Sequence, residues 1–182
     1  MPDLAMQIYR ATADDAQALS RFSARIFPLG CPVNTKPEDL ADYINWELTP
    51  ERFLDLLRDD RIEILAVKIQ NELAAFAMIA RGAIAPEAPS LGDVELRKFY
   101  VDPPYHGRGV ANTLMERVLE SVLAQGASTL WLSVFSENLR AISFYKRWGF
   151  QIIGTRIFVV GTDKQKDYLM QRVAAETTGK DS

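Results

Sequence analysis

The chain has 182 residues, enough for one domain with a sizeable core and short for two. Apolar residues at 48% and charged residues at 25% exclude a wholly disordered chain, and a formal net charge of -3 lacks the basic excess that a general nucleic-acid binder needs. Cys31 and His106 are the only residues of their types, so neither an intrachain disulfide nor a clustered Cys/His zinc site is available, and no run approaches the ~20 apolar residues of a membrane span.

A short strand is expected over Met6 to Ala11, followed by a helix capped by Thr12 or Asp14 and running to about Phe27. Pro28, Gly30 and Pro32 stop it. Two short helices are expected over Pro37 to Leu48 and Thr49 to Arg58, the second with Pro50 at its first position. Ile62 to Ile69 and Glu72 to Arg81 are apolar runs separated only by Gln70-Asn71, a hairpin pattern. Ala83 to Gly92 reads as a loop, and Asp93 to Val101 as a strand ending in Phe99-Tyr100-Val101, three residues of high β propensity.

Asp102-Pro103-Pro104 ends that strand. Beyond Gly109, Val110, Leu114, Val118 and Val122 share one helical face, and Gly126 closes the helix. Thr129 to Val134 is a strand, Asn138 caps a helix ending at Trp148-Gly149, and Gln151 to Val160 and Lys166 to Val173 are strands joined across Gly161-Thr162-Asp163. Residues 1–173 thus form one domain, with 174–182 a polar, disordered tail. Early helices, two hairpins and a strand-helix-strand-helix-strand section give an α/β class with a mixed sheet.

The chemistry begins at His106-Gly107-Arg108-Gly109-Val110-Ala111, which opens a helix after a strand. A helix N-terminus offers free N–H groups and a positive dipole end, glycines admit a phosphate close to the backbone, and Arg108 adds charge. A P-loop would end in Gly-Lys-Ser/Thr, and a dinucleotide fingerprint would place glycine where Asn112 stands. The stretch resembles instead the acetyl-CoA signature Gln/Arg-x-x-Gly-x-Gly/Ala of the GNAT N-acetyltransferases, with His106 in the first place and Gly109 and Ala111 in the others. Downstream, Asn138, Ala141, Phe144-Tyr145 and Gly149-Phe150 resemble that family's N-x-x-A-x-x-F-Y-x-x-x-G-F segment. Phe158 to Gly161, Gln165, Asp167, Tyr168 and Met170 resemble a bacterial subgroup that includes spermidine and spermine acetyltransferases.

The resemblance implies a twisted, mixed, mostly antiparallel sheet of about seven strands with helices on both faces. It implies acetyl-CoA as cosubstrate, a small primary amine such as a polyamine as acceptor, direct transfer and, by family habit, a homodimer. Phe99, Tyr100 and Val101 would lend backbone groups to the pantetheine arm, one N–H facing the thioester oxygen. Residues 106–111 would hold the pyrophosphate, and Asn138 the arm. Tyr145 would protonate the leaving thiolate, or else be a core aromatic. Glu95 is either a general base or the salt-bridge partner of Arg97, two residues on along one strand face. Asp39, Asp42, Tyr43, Trp46 and Glu47 could meet a cationic amine or form a solvated face. Cys31 reads as a small buried residue and not an acyl carrier. Rival readings are a protein N-acetyltransferase and a non-catalytic acyl-CoA sensor. With one cysteine and no leader pattern, a cytoplasmic location is expected.

Overall fold

The computed structural model describes residues 5–85, 87–88 and 94–173. In chain order the elements are β1 (Met6–Arg10), α1 (Ala16–Ile26), α2 (Pro37–Glu47), α3 (Pro50–Arg58), β2 (Ile62–Ile69), β3 (Glu72–Arg81) and β4 (Val94–Val101), then α4 (Val110–Ala124), β5 (Thr129–Phe135), α5 (Leu139–Arg147), β6 (Gln151–Val160) and β7 (Asp163–Val173).

Local chemistry sets most of these bounds. The Asp15 carboxylate accepts from the Thr12 N–H at 2.9 Å, and one 3-10 turn leads into α1. Thr49 Oγ1 accepts from the Arg52 N–H at 3.2 Å with Pro50 first in α3, and Asn138 Oδ1 accepts from the Ala141 N–H at 3.1 Å at the start of α5. Gln70 and Asn71 take φ 52° and 65°, the left-handed pair that a two-residue hairpin requires. The last hairpin differs from the sequence expectation. Its turn is Gly161-Thr162, with Gly161 at φ 58°, so β7 begins at Asp163 and not at Lys166. The expected loop 83–92 lies partly, and the expected tail 174–182 wholly, outside the described residues.

The seven described strands form one sheet in the order β1-β2-β3-β4-β5-β7-β6, antiparallel throughout except for β4 and β5. On one face α4 buries Val110, Leu114, Val118 and Val122, and α5 adds Ile142 and Tyr145. On the other face α1 and α3 bring Leu19, Phe22 and Phe53 onto Phe76. Each such side chain contributes about 1.5–3 kcal/mol through burial. Among the described residues no helix is long and apolar enough to cross a membrane.

Candidate active site

β4 and β5 run parallel yet share a single register pair, Glu95 with Trp131. The far edge of β4 stays laddered to β3 as far as Val101 with Ala75, and the far edge of β5 to β7 as far as Phe135 with Asp167. Past Glu95 and Trp131 the two facing edges therefore separate and leave their backbone groups open. The gap widens into a cleft of about 870 Å3, within the size range of small-molecule sites. Phe99, Tyr100 and Val101 form its β4 edge. The Phe99 ring meets Phe144 at 5.5 Å and Tyr145 at 6.3 Å and closes the floor.

At one end of the cleft lies the turn into α4. Gly107 (φ 73°) and Gly109 (φ 84°) hold conformations that L side chains rarely adopt, and a Cβ on either would meet no atom within 4 Å. Gly109 is the N-cap of α4 and no side chain caps it, so the first-turn N–H groups are free for an anion. His106 Nε2 lies 2.8 Å from the Val101 carbonyl oxygen and pins the turn to the end of β4. Ala111 lines the cleft with His106, Gly107 and Gly109. Val110 is fully buried in the core and offers only its backbone, and Arg108 is exposed outside the cleft lining. Of the cations that line the cleft, Arg140 and Arg147 come from α5. Asn138 lines it too, its Oδ1 committed to the helix cap and its amide N–H groups left over. Free N–H groups, open space over two glycines and two nearby cations fit the diphosphate of coenzyme A.

Tyr145 sits at the narrow part of the gap, buried, and burial pushes its phenol well above the ordinary tyrosine value. It stays protonated across the working pH range. Glu95 lines the cleft with Oε2 accepting from Arg97 Nε at 3.0 Å, so the salt bridge expected as one alternative is formed. Arg97 is the extra residue of a β-bulge, since Met78 and Ile79 of β3 face Lys98 and Leu96. Lys98 consequently joins Glu95 and Arg97 on the face that carries α1 to α3. Burial is the main force that pushes its ammonium down to about 8. Cys31 lines this half as well. Burial raises its thiol to about 11, which rules out a thiolate carrier at neutral pH.

The acidic and aromatic segment of α2 divides. Tyr43 and Glu47 line the cleft. Trp46 is 79% exposed, and Asp42 is exposed. Asp39 faces away from any acceptor: it is buried and accepts from the Thr162 N–H at 2.7 Å and Thr162 Oγ1 at 3.0 Å, tying α2 to the β6–β7 turn. The opposite wall comes from β6 and β7, with Arg156, Phe158, Gln165 and Asp167.

The family model described as Acetyltransferase (GNAT) family matches residues 22–150, most of the chain. The chain belongs to this family. As a GNAT protein it is an acetyl-CoA-dependent N-acetyltransferase. It is 40% identical to an uncharacterized N-acetyltransferase of Mycobacterium tuberculosis over 158 residues, 87% of this chain and 97% of that one. The likeness to a spermine/spermidine N(1)-acetyltransferase of Bacillus subtilis is 29% over 86 residues, 47% of this chain and 57% of the relative. The solved PaiA N-acetyltransferase of Thermoplasma acidophilum, in complex with coenzyme A, shares the fold with a TM-score of 0.77 at 19% identity. That match covers 93% of this chain and 99% of the other.

The GNAT motifs point to the α4 turn and Tyr145 and assign no role to Lys98, Ser133 and Arg156, which also line the cleft. Two signals were present: Arg156 and Phe158 alternate on one strand face, and Gln165 and Asp167 alternate on the next. Only the correct turn length brings the two pairs opposite one another.

Proposed function

We propose that this N-acetyltransferase passes the acetyl group directly to a small primary amine, a polyamine or another amine of that size, inside the β4–β5 cleft. The observation that carries the reading is the open edge of β4 beside a buried, protonated Tyr145 in one continuous cleft. Acetyl-CoA supplies the acyl group in activated form, as a thioester. The free first-turn N–H groups of α4, at the end of the 106–111 turn that His106 pins, bind the phosphates, with Arg108 an outlying charge whose own N–H is taken by the Tyr105 carbonyl. Phe99, Tyr100 and Val101 offer ladder groups that orient the pantetheine arm, and Asn138 adds its side-chain amide. Tyr145 holds the proton that a departing thiolate needs. The dry site that raises its phenol also raises a thiol, which keeps the transfer balanced. Glu95, locked to Arg97, fixes charge at the mouth of the gap and retains one oxygen for a proton or a water.

The test is thiol release from acetyl-CoA with spermidine, amino acids, aminoglycosides and short peptides, run on the wild type and on Tyr145→Phe. Turnover on small amines and a fall in kcat of about 10²-fold in the variant, with coenzyme affinity unchanged, are expected. Equal kcat removes Tyr145 from the mechanism. Turnover confined to peptides moves the acceptor to protein N-termini or lysines.

A further inference from the structure

Across from Tyr145 the cleft contains two ionic side chains whose needs the protein does not meet. Asp167 of β7 is only 5% exposed. Its Oδ2 accepts from Ser133 Oγ at 2.6 Å, while its Oδ1 is buried with no hydrogen-bond partner among the described residues. Arg156 of β6 is the register partner of Asp167, so both point to the same face. Among the described residues its Nε is also buried without a hydrogen-bond partner, and its one ion-pair contact is a long one, 3.9 Å to Glu87. An unmet buried polar group costs about 1–3 kcal/mol, more when charged. Two complementary ones stand side by side here, and no ion pair joins them. A ligand that pairs with both charges directly would carry a cation for Asp167 and an anion for Arg156.

Other groups in this half of the cleft point the same way. Glu47 is taken by Arg52 at 3.5 Å and Glu95 by Arg97 at 3.0 Å. Lys98 has no carboxylate in ion-pair contact among the described residues; its ammonium lies 5.8 Å from the Tyr100 ring centroid, and Glu47 and Glu95 attract it only from beyond ion-pair distance. With the paired groups set aside, Lys98 and Arg156 face Asp167 as the single free acid. A polyamine would bring several ammonium groups to one carboxylate and two cations, a repulsive arrangement. Between the charges the wall is aromatic. Tyr43 stacks on Phe27 at 4.3 Å and meets Phe158 edge-on at 5.8 Å, a surface suited to a short carbon chain.

We propose that Asp167 and Arg156 form the acceptor subsite and that the acceptor is a primary amine bearing a carboxylate, its ammonium on Asp167 Oδ1 and its carboxylate on the Arg156 guanidinium. The proposal rests on small-amine acetylation in this cleft. Arg–carboxylate pairing of this kind is charge-assisted and can be bidentate. Burial raises the Asp167 carboxyl above its usual range, with Ser133 and Arg156 offsetting only part, as expected of a carboxylate that awaits a cation.

The experiment compares amines that differ by one carboxylate, lysine with cadaverine and ornithine with putrescine. Thiol release is followed on the full chain, and acetyl-CoA affinity by calorimetry reports folding in every variant. A kcat/KM ratio of about 10-fold or more in favour of the amino acid is expected within each pair. Arg156→Gln brings the ratio toward one through KM, and Arg156→Lys restores part of it. Asp167→Asn raises KM for both members of a pair and leaves the ratio standing. Diamines used as well as their amino acids, or a ratio untouched by Arg156→Gln in a coenzyme-binding variant, overturn the proposal alone. Silence on every amine with acetyl-CoA bound removes the small-amine reading, and the proposal falls with it.

Discussion

Two buried carboxylates stand on opposite sides of the β4–β5 gap. On β2, Glu63 directs Oε2 at three donors: Ser121 Oγ at 2.5 Å, Arg81 at 3.1 Å and Gln125 Nε2 at 3.2 Å. Burial would raise its carboxyl, but those hydrogen bonds outweigh it and hold the group below its ordinary 4.5. On β7, Asp167 has Ser133 alone, and burial holds it above its ordinary 3.8. Glu63 fastens α4 to the sheet. Asp167 fastens nothing beyond Ser133 and faces a cavity. Burial of a carboxylate is therefore no guide to its role in this molecule; the number of donors it keeps is.

Three variants test that distinction on stability, beginning with the largest effect. Asp39 is a carboxylate of the satisfied kind, packed so closely on the last hairpin that a Cβ at Gly161 would lie 2.7 Å from its Cα. Gly161 also needs its φ of 58°. Gly161→Ala is expected to destabilise the fold by about 3 kcal/mol in urea unfolding, through overpacking and left-handed strain together. A loss below about 1 kcal/mol would mean that α2 moves aside freely.

Glu63→Ala strands Arg81, Ser121 and Gln125 and is expected to cost about 2 kcal/mol. Because the folded carboxyl lies below 4.5, its stabilising part is present above that pH and lost as pH falls through the folded value. The gap between variant and wild type should thus close under acid.

Asp167→Asn should show the smallest effect and the reverse sign. A folded carboxyl held above 3.8 is penalised once ionised, so the asparagine variant should melt level with wild type near pH 4 and above it near pH 8. A lower midpoint at pH 8 would place Asp167 with Glu63 among the structural carboxylates.

Much of this fold was legible because its signals are local. Thr49 and Asn138 each cap within three residues, Gln70-Asn71 declares its own turn, and the Val110–Val122 stripe needs only helical spacing. The turn proposed for the coenzyme, His106 to Ala111, is local as well, although Arg108 lies outside the cleft lining and Val110 serves the core. The acceptor half is different. Arg156, Asp167, Lys98 and Tyr43 come from four elements, and only the fold brings them to one cleft. A turn placed at Gly161 to Asp163 would also have slipped Arg156 off Asp167, since the register depends on a turn of two residues and not three. Asp39 looked like an acceptor-site acid for the same reason: its partner Thr162 is remote in sequence.

The single register pair between Glu95 and Trp131 also has a mechanical meaning. The sheet has a seam, with β1 to β4 on one side and β5 to β7 on the other, each knit by antiparallel ladders. Across the seam, beyond that pair, Phe99 against Phe144 and Tyr145 holds the halves through side chains rather than backbone. In hydrogen exchange the β4 amides that face the open edge past Glu95 should exchange ahead of those laddered to β3. A molecule bound along that edge would act as a splice, stiffening both halves at once and raising the melting temperature with its concentration.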